Sequence, residues 1–280
     1  MRVPLHKRMS RQLRGNWRQR LLGAHGIGIV ASTLNGLFVV DASDFNVGRR
    51  LLERGEYDWR EVQTLARLLN RNSRMVVIGA HIGALLIPLI RLSGANHVIA
   101  VEPSPRNYRL LQMNLHLNGL SGLALHNVAL GSTQGVARFT ENRINSGNSR
   151  IAKDTGEIVV PLVTLDSIVP EDATPLDLVI MDAEGFEVQI MNGGRSVLSH
   201  ARHLFVEFAP EQLHEQGSTA EEFIGQVADR FDHMQWMDRT EEPPMTKDAF
   251  INALRSLPKR RGLLRNLLFS KSTAWKSSEG

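Results

Sequence analysis

The chain has 280 residues, 42% hydrophobic and 22% charged, a composition that excludes wholesale disorder and collagen-like or low-complexity architectures. Cysteine is absent, which excludes disulfides, thiolate nucleophiles and cysteine-ligated zinc or iron–sulfur sites. The net charge of +4 comes from the chain ends: residues 1–20 and 255–280 hold fourteen of the 33 Lys and Arg and one of the 29 Asp and Glu, so residues 21–254 carry a net charge of −9.

The first twenty residues predict a basic amphipathic helix. Apolar side chains occupy every fourth position from Leu5 to Leu21, with arginines between them, and this spacing places them on one face of a helix. Such a helix could lie on an anionic membrane surface. A helix docked on its own domain, or a frayed arm, is the favoured interpretation, and an organelle transit peptide is a weaker one because serine is scarce.

A β-hairpin and a helix are expected next. Ile27–Thr33 and Leu37–Val40 are rich in β-prone residues and flank Asn35-Gly36, a dipeptide typical of tight turns. The apolar spacing predicts a helix over Trp59–Leu69. We therefore expect residues 1–70 to form an N-terminal extension and residues 71–280 to form the main domain.

From Arg74 onwards, short apolar strands alternate with helices. The predicted strands are Met75–Gly79, His97–Val101, Gly122–His126, Leu176–Met181 and His203–Glu207. The predicted helices are Ile82–Leu92, Pro105–Leu117, Phe186–Met191 and Glu222–Phe231, the last opened by a capping-box pattern at Ser218–Glu221. This alternation predicts an α/β fold with a mostly parallel sheet and helices on both faces.

The C-terminal segment has two interpretations. Residues 262–269 (GLLRNLLF), beside three basic residues, fit a membrane-surface helix. They also fit a last strand, Asn266–Ser270, after a helix over Met245–Leu257. The strand is favoured, because only the strand gives His233–Asp238 a partner in a terminal antiparallel hairpin.

A glycine turn and an acidic residue indicate a nucleoside site. Gly79 and Gly83 follow the first strand of the main domain, where glycine lets the backbone approach a ligand closely. Their spacing is not the dinucleotide fingerprint G-x-G-x-x-G, and no phosphate-binding lysine follows. Glu102 ends the second strand, 23 residues after Gly79, where a carboxylate can bind the hydroxyls of a ribose.

Asp182 and Glu184 follow the apolar strand Leu176–Met181 at the start of a helix. They could simply stabilise the helix N-terminus. Alternatively, they could bind a cationic centre, or take the proton from a substrate hydroxyl. Asn127, after the third strand, could contact an adenine edge, although asparagine is also common in turns.

The chain resembles the FkbM-type family of S-adenosylmethionine-dependent methyltransferases over roughly residues 35–208. The blocks that carry the resemblance are NGLFVVDASD (35–44), VVIGAHIG (76–83), VIAVEPSPRNYRLLQMNLHLNGL (98–120), HNVALG (126–131), GNSRI (147–151), VTLDSI (163–168) and DLVIMDAEGFEVQIMNGG (177–194). The resemblance implies a Rossmann-like class I methyltransferase sheet of seven strands, mostly parallel, whose last two strands form an antiparallel hairpin.

The resemblance also implies site residues. S-adenosylmethionine would be bound by Gly79, His81, Gly83, Glu102, Ser104, Asn127 and Asp182. Gly79, His81 and Gly83 would line the methionine and ribose side, Glu102 would hold the ribose hydroxyls, and Ser104 and Asn127 would lie near the adenine. Asp182 and Glu184 would face the reactive end as catalytic residues.

Two positions depart from the family pattern. Val77 stands where the family usually has an acidic residue, which removes a polar contact near the methionyl group of the cofactor. A catalytically degenerate relative that keeps the fold as a binding or scaffolding protein therefore stays open. His81 stands where asparagine is usual, and either replaces it as a hydrogen-bonding group or is a packed turn residue.

The leading hypothesis is methyl transfer to a hydroxyl of a sugar, glycan or related polar metabolite, with Asp182 as first and Glu184 as second candidate base. No metal is required, and the missing fingerprint argues against a nicotinamide-dependent oxidoreductase. The acidic central region disfavours a nucleic-acid partner. We expect a cytoplasmic protein, with a peripheral membrane contact through the basic N-terminal helix as an open alternative.

Overall fold

The computed structural model describes residues 15, 17–23, 25–140, 150–152, 158–258 and 262–272. The strands, numbered in chain order, are β1 (Ile29–Thr33), β2 (Gly36–Val40), β3 (Arg74–Ile78), β4 (His97–Val101), β5 (Ala124–His126), β6 (Ala129–Leu130), β7 (Gly135–Thr140), β8 (Arg150–Ala152), β9 (Ile158–Val163), β10 (Leu176–Met181), β11 (Ala201–Phe208), β12 (His233–Trp236), β13 (Met245–Thr246) and β14 (Arg265–Ser270). The α-helices after residue 40 are α1 (Val47–Arg54), α2 (Trp59–Ala66), α3 (Leu86–Ser93), α4 (Pro105–Leu117), α5 (Leu165–Ile168), α6 (Glu187–Gly193), α7 (Arg195–Ser199), α8 (Pro210–Glu215), α9 (Ala220–Ala228) and α10 (Lys247–Arg255).

The central sheet confirms the predicted fold class. Its strand order is β13-β12-β14-β11-β10-β3-β4-β5. The strands from β11 to β5 run parallel, whereas β14 is antiparallel to both β11 and β12. The C-terminal segment is therefore a strand, and it pairs with His233–Trp236 as expected. The sheet has eight strands instead of seven, because the two-residue β13 pairs with β12 at the edge.

Both faces of the sheet are covered by apolar packing. In β3, Met75 and Val77 belong to one hydrophobic cluster, and Val76 and Ile78 belong to the other. Successive side chains of a strand point to opposite faces, so a continuous apolar run is buried on both sides. In the described residues, no helix has the length and apolar character needed to cross a membrane.

The N-terminal hairpin forms and packs on the main domain. β1 and β2 pair as predicted, but the turn consists of Leu34 and Asn35, and Gly36 begins β2 opposite Thr33. Asn114 on α4 accepts a hydrogen bond from the backbone N–H of Val39 at 2.6 Å and donates one to the carbonyl of Ile82 at 2.9 Å. Phe38 and Val40 share the apolar cluster that contains one face of β3. The division at residue 70 stays a prediction.

The predicted N-terminal helix is described only in part, since residues 1–14 lie outside the described residues. Residues 17–22 are helical, and the side chains of Trp17 and Leu21 are 64% and 68% exposed. Arg18 donates hydrogen bonds to the carbonyls of Ala42 at 3.0 Å and Asp44 at 3.1 Å. These contacts dock this part of the segment on its own domain, while the side chains of Trp17 and Leu21 face outwards.

A second sheet, with the order β6-β9-β7-β8, was not predicted. β7 and β9 are antiparallel, and Phe139 and Val160 form part of a small core between them. Pro161 within β9 weakens the sequence signal, because proline cannot donate to a strand ladder. Residues 141–149 and 153–157, which flank β8, lie outside the described residues.

Several helix boundaries differ from the prediction. The helix expected over Ile82–Leu92 begins at Leu86, because residues 82–85 form turns in which Gly83 has a φ of +89°. The capping box lies one residue later than predicted: Thr219 Oγ1 accepts the N–H of Glu222 at 3.1 Å, and the Glu222 carboxylate accepts the N–H of Thr219 at 2.7 Å. The helix α9 therefore begins at Ala220.

Candidate active site

A cavity of about 240 Å³ opens at the carboxyl ends of β3, β4, β10 and β11. Parallel strands deliver the residues that follow them to one edge of the sheet, where open α/β sheets bind ligands. The predicted site residues in the cavity wall are Gly79, His81, Glu102, Asp182 and Glu184. The structure thus brings together residues that are about one hundred positions apart in the sequence.

The turn after β3 requires glycine at its first position. Gly79 has a φ of +77°, and its N–H donates to the carbonyl of Val101 at 3.0 Å. A Cβ atom at Gly79 would collide with the backbone carbonyl oxygen of Asp182. Glycine is therefore needed for the close approach of two strand ends, which shapes the floor of the cavity.

Glu102 is buried and linked to the turn after β3. Its Oε2 accepts the backbone N–H of His81 at 2.8 Å, and its Oε1 accepts the N–H of Ser104 at 2.9 Å. Burial raises the pKa of Glu102 to about 7, against the effect of these hydrogen bonds. Oε1 also accepts a hydrogen bond from Asn107 Nδ2 at 3.5 Å. Oε2 can accept a second hydrogen bond, so the predicted ribose contact is chemically possible.

Three predicted site residues lie behind the cavity wall. Ser104 Oγ accepts the N–H of Asn107 at 3.1 Å and caps α4. Asn127 Nδ2 donates to the backbone carbonyl of Glu102 at 2.8 Å, which holds the loop after β4. A Cβ atom at Gly83 would face Ile87 and Leu111. Their contact with a cofactor stays a prediction, and their observed contacts position the loops around the cavity.

Asp182 and Glu184 line the end of the cavity next to β10. The backbone N–H of Asp182 donates to the carbonyl of Ile78 at 3.1 Å. Burial and, second to it, the negative charge of Asp58 together raise the pKa of Asp182 to about 6. Gln212 Nε2 donates to Glu184 Oε2 at 2.5 Å. One Asp182 oxygen could therefore receive a proton near neutral pH, as a general base requires.

The sequence was compared with known proteins and structures. A family model described as the methyltransferase FkbM domain matches residues 78–239, more than half of the chain. The chain belongs to the FkbM methyltransferase family. No curated protein matches it.

Solved structures similar to this FkbM-family chain include three methyltransferase-related proteins. TYW2 of M. jannaschii, in complex with AdoMet, is 15% identical, with 84% of this chain and 80% of that chain covered and a TM-score of 0.43. TrmK of M. capricolum, in complex with S-adenosyl-homocysteine, is 11% identical over 75% and 67%, with a TM-score of 0.40. A precorrin-6y C5,15-methyltransferase of Geobacter metallireducens is 14% identical over 76% and 87%, with a TM-score of 0.39. At these values, none of them tells what this chain binds.

Two further residues of this FkbM-family chain line the cavity and were missed in the sequence. Glu207 is the next-to-last residue of β11, adjacent to β10 in the sheet. The sequence did contain a signal for Glu207, because it ends the predicted apolar strand His203–Glu207 as Glu102 ends an apolar strand. Tyr57 comes from the N-terminal extension, and no local pattern marks it.

Tyr57 is held in the cavity wall by polar contacts of the N-terminal extension. Asn35, fully buried, accepts the backbone N–H of Tyr57 at 2.9 Å and donates to its carbonyl at 2.7 Å. The Asn35 amide also donates to the carbonyl of Ala84 at 2.9 Å. The guanidinium carbon of Arg50 lies 4.4 Å from the centre of the Tyr57 ring. The extension therefore builds part of the site.

The two departures from the family pattern both lie in the cavity wall. Val77 is 2% exposed and contributes apolar surface where an acidic side chain was expected. His81 has a φ of +52°, and burial lowers the pKa of its imidazole, which favours the neutral ring. The carboxylates at this end of the cavity come instead from β10 and β11, through Asp182 and Glu207.

Proposed function

We propose that this protein transfers a methyl group from S-adenosylmethionine to a hydroxyl oxygen of a sugar, glycan or related polar metabolite. The observation that carries the proposal is that Glu102 and Asp182 face one cavity at the carboxyl edge of the sheet, in a chain of a methyltransferase family. The cavity combines a site for ribose hydroxyls with carboxylates that could serve a positively charged methyl donor.

The lining residues fit S-adenosylmethionine in three respects. Glu102 retains capacity to accept hydrogen bonds from a diol, and Pro103 and Val128 next to it offer apolar surface suited to a flat base. Asp182 and Glu207 supply negative charge at the other end, which favours a cation. When bound, S-adenosylmethionine supplies an electrophilic methyl group on its sulfonium.

The acceptor hydroxyl would be bound and oriented by this chain's own residues. Asp182 would accept its hydrogen bond and take its proton, an effect worth about 10²–10⁴-fold in rate for a positioned base. Glu184, fixed by Gln212, is the second candidate. Alignment of the acceptor oxygen with the methyl group would increase the rate further.

The charge of the cavity supports a neutral or cationic acceptor over an anionic one. Asp182, Glu184 and Glu207 share one end of it, and phosphate groups entering there would be repelled. The proposal therefore includes a polyol or sugar and disfavours nucleic acid.

A cytoplasmic location also stays part of the proposal, and the exposed Trp17 and Leu21 keep a peripheral membrane contact open.

A second candidate function is a non-catalytic binding or scaffolding protein of the same fold. The observation that favours it is Val77, an apolar residue in the cavity wall where the resemblance implies an acid. Such a protein would bind the cofactor without transferring its methyl group. Methyl transfer at an enzymatic rate to any acceptor would exclude it.

Two experiments test both candidate functions. The first is calorimetric titration of the protein with S-adenosylmethionine and S-adenosylhomocysteine. The second measures transfer of a radiolabelled methyl group to monosaccharides, polyols, nucleotide sugars and amines. We expect both ligands to bind, Glu102→Ala to abolish binding, and label to appear on a hydroxyl compound. Glu171→Ala, at an exposed position distant from the cavity, is the matched control. Absence of binding overturns the proposal. Label on amines alone replaces the O-methyl assignment, and binding without transfer favours the second candidate.

A further inference from the structure

Two carboxylates at neighbouring strand ends lie side by side in the cavity. β10 and β11 pair in parallel with Met181 opposite Val206. The next residues, Asp182 and Glu207, therefore begin about 4.8 Å apart in the direction of strand pairing and project to the same face of the sheet. Both line the cavity. The pair is a product of strand register and does not depend on the conformation of a flexible loop.

The groups around this pair are mostly acidic. Those that interact with one or both carboxylates are Tyr57, Asp58, Glu61, Glu102, Glu184 and Glu187. Arg50, the cation on this side, is bound to Asp58 and lies over the Tyr57 ring. His81 also lines the cavity, and its burial favours the neutral ring. In the part of the chain that the structure describes, no Lys or Arg forms an ion pair with Asp182 or Glu207.

Neighbouring carboxylates in an enclosed cavity cannot both ionise at low cost without a cation. Burial raises the pKa of Glu207 well above its usual value, and the charges of Asp182 and Glu184 raise it further. Burial likewise raises the pKa of Asp182 to about 6. Both shifts favour one proton held by the pair, chiefly on Glu207, until positive charge enters the cavity.

We propose that Glu207 and Asp182 share a proton in the cofactor-free protein and release it to solvent when the sulfonium of S-adenosylmethionine enters. This inference rests on the proposed function and adds a positioning role for Glu207. The thioether of S-adenosylhomocysteine carries no charge, so it does not displace the proton. Glu207 thereby distinguishes the methyl donor from the spent product, which favours product release after transfer.

Proton counting in calorimetry tests the inference without an acceptor. Each ligand is titrated at pH 6.5 in two buffers with different ionisation enthalpies, and the slope gives the protons released. We expect S-adenosylmethionine to release about one proton and to bind about tenfold more tightly per pH unit in the range where release occurs. S-adenosylhomocysteine should release markedly fewer. Glu207→Gln should abolish the difference, and Glu171→Gln should leave it unchanged.

Each outcome decides one claim. Equal proton release by both ligands overturns the sulfonium assignment, and unchanged release in Glu207→Gln overturns the role of Glu207. Circular dichroism shows whether Glu207→Gln folds. If it does not fold, the inference is tested on the native protein by measuring the ratio of its affinities for the two ligands. A ratio that stays constant from pH 5.5 to pH 8 overturns the inference. If neither ligand binds, the proposed function fails and this inference with it; if both bind without proton linkage, only the inference fails.

Discussion

The carboxylate of Glu102 accepts the backbone N–H of His81 at 2.8 Å and so joins the end of β4 to the turn after β3. The same side chain accepts the N–H of Ser104 at 2.9 Å. One buried residue thereby fixes two of the loops that surround the cavity. Its proposed second role, binding ribose hydroxyls, would use the acceptor capacity that these contacts leave on Oε2.

Glu102→Gln should therefore weaken cofactor binding. A glutamine amide directs N–H groups towards at least one of the backbone N–H groups of His81 and Ser104, and two donors cannot pair. We expect the affinity for S-adenosylhomocysteine to fall about ten- to a hundredfold, as for loss of a charge-assisted hydrogen bond. Calorimetry measures it, with Glu171→Gln as control. An unchanged affinity would remove Glu102 from the cofactor site.

Gly79→Ala should disrupt the site through the backbone. The φ of +77° and the carbonyl of Asp182 leave no room for a Cβ atom, so β3 and β10 would have to separate. We expect loss of cofactor binding and a lower melting temperature. Gly225→Ala is the matched control: in α9 nothing lies within 4 Å of the position that a Cβ atom would take, and alanine should stabilise the helix by about 0.5–1 kcal/mol. Equal behaviour of the two variants would contradict the packing argument.

Glu61→Gln should stabilise the cofactor-free protein at alkaline pH. Burial raises the pKa of Glu61 to about 7, while Oε1 accepts a hydrogen bond from Asn266 at 2.9 Å and Oε2 is buried without a hydrogen bond. The folded pKa exceeds the unfolded value of 4.5, so the charge destabilises the fold increasingly as pH rises from about 4.5 to 7. Urea unfolding should show a gain on the order of 1 kcal/mol at pH 8 and almost none at pH 4.5. A gain independent of pH would contradict this account.

Asn35→Ala should destabilise the extension and displace Tyr57. The Asn35 side chain makes three hydrogen bonds, two to Tyr57 and one to Ala84, and it is fully buried. Its removal leaves buried backbone groups unpaired, so we expect unfolding in urea to lose about 2–4 kcal/mol. Tyr57→Phe is the control, because the hydrogen bonds that the structure gives Tyr57 use only its backbone. Unchanged stability of Asn35→Ala would contradict this account, and equal destabilisation by both variants would show that the phenol hydroxyl contributes as much as Asn35.

The sequence predicts most of the central sheet because its strands are continuous apolar runs with clear turn residues between them. His97–Val101 and Leu176–Met181 have the predicted bounds. The pairing of Asp182 with Glu207 could not be predicted in detail, since it depends on the register of two strands. Asn35 fixes the backbone of Tyr57 at the cavity through a contact across 22 residues that no local pattern encodes. The second sheet was missed because β6 and β8 have only two and three residues and Pro161 interrupts β9, which leaves β7 without a recognisable partner.

Deleting residues 1–14 should leave cofactor binding unchanged. Arg18, which remains, docks the helical segment 17–22 through hydrogen bonds to Ala42 and Asp44, and among the described residues the cavity lining starts at Asn46. We expect equal affinities of the full and shortened chains for S-adenosylhomocysteine by calorimetry. Sedimentation with vesicles containing phosphatidylserine then separates the two interpretations of the basic helix. If the full chain binds the vesicles, and this binding is lost on deletion and at high salt, the helix makes a membrane contact. If neither chain binds the vesicles, the helix serves its own domain. A fall in cofactor affinity on deletion would show that the N-terminus takes part in the site.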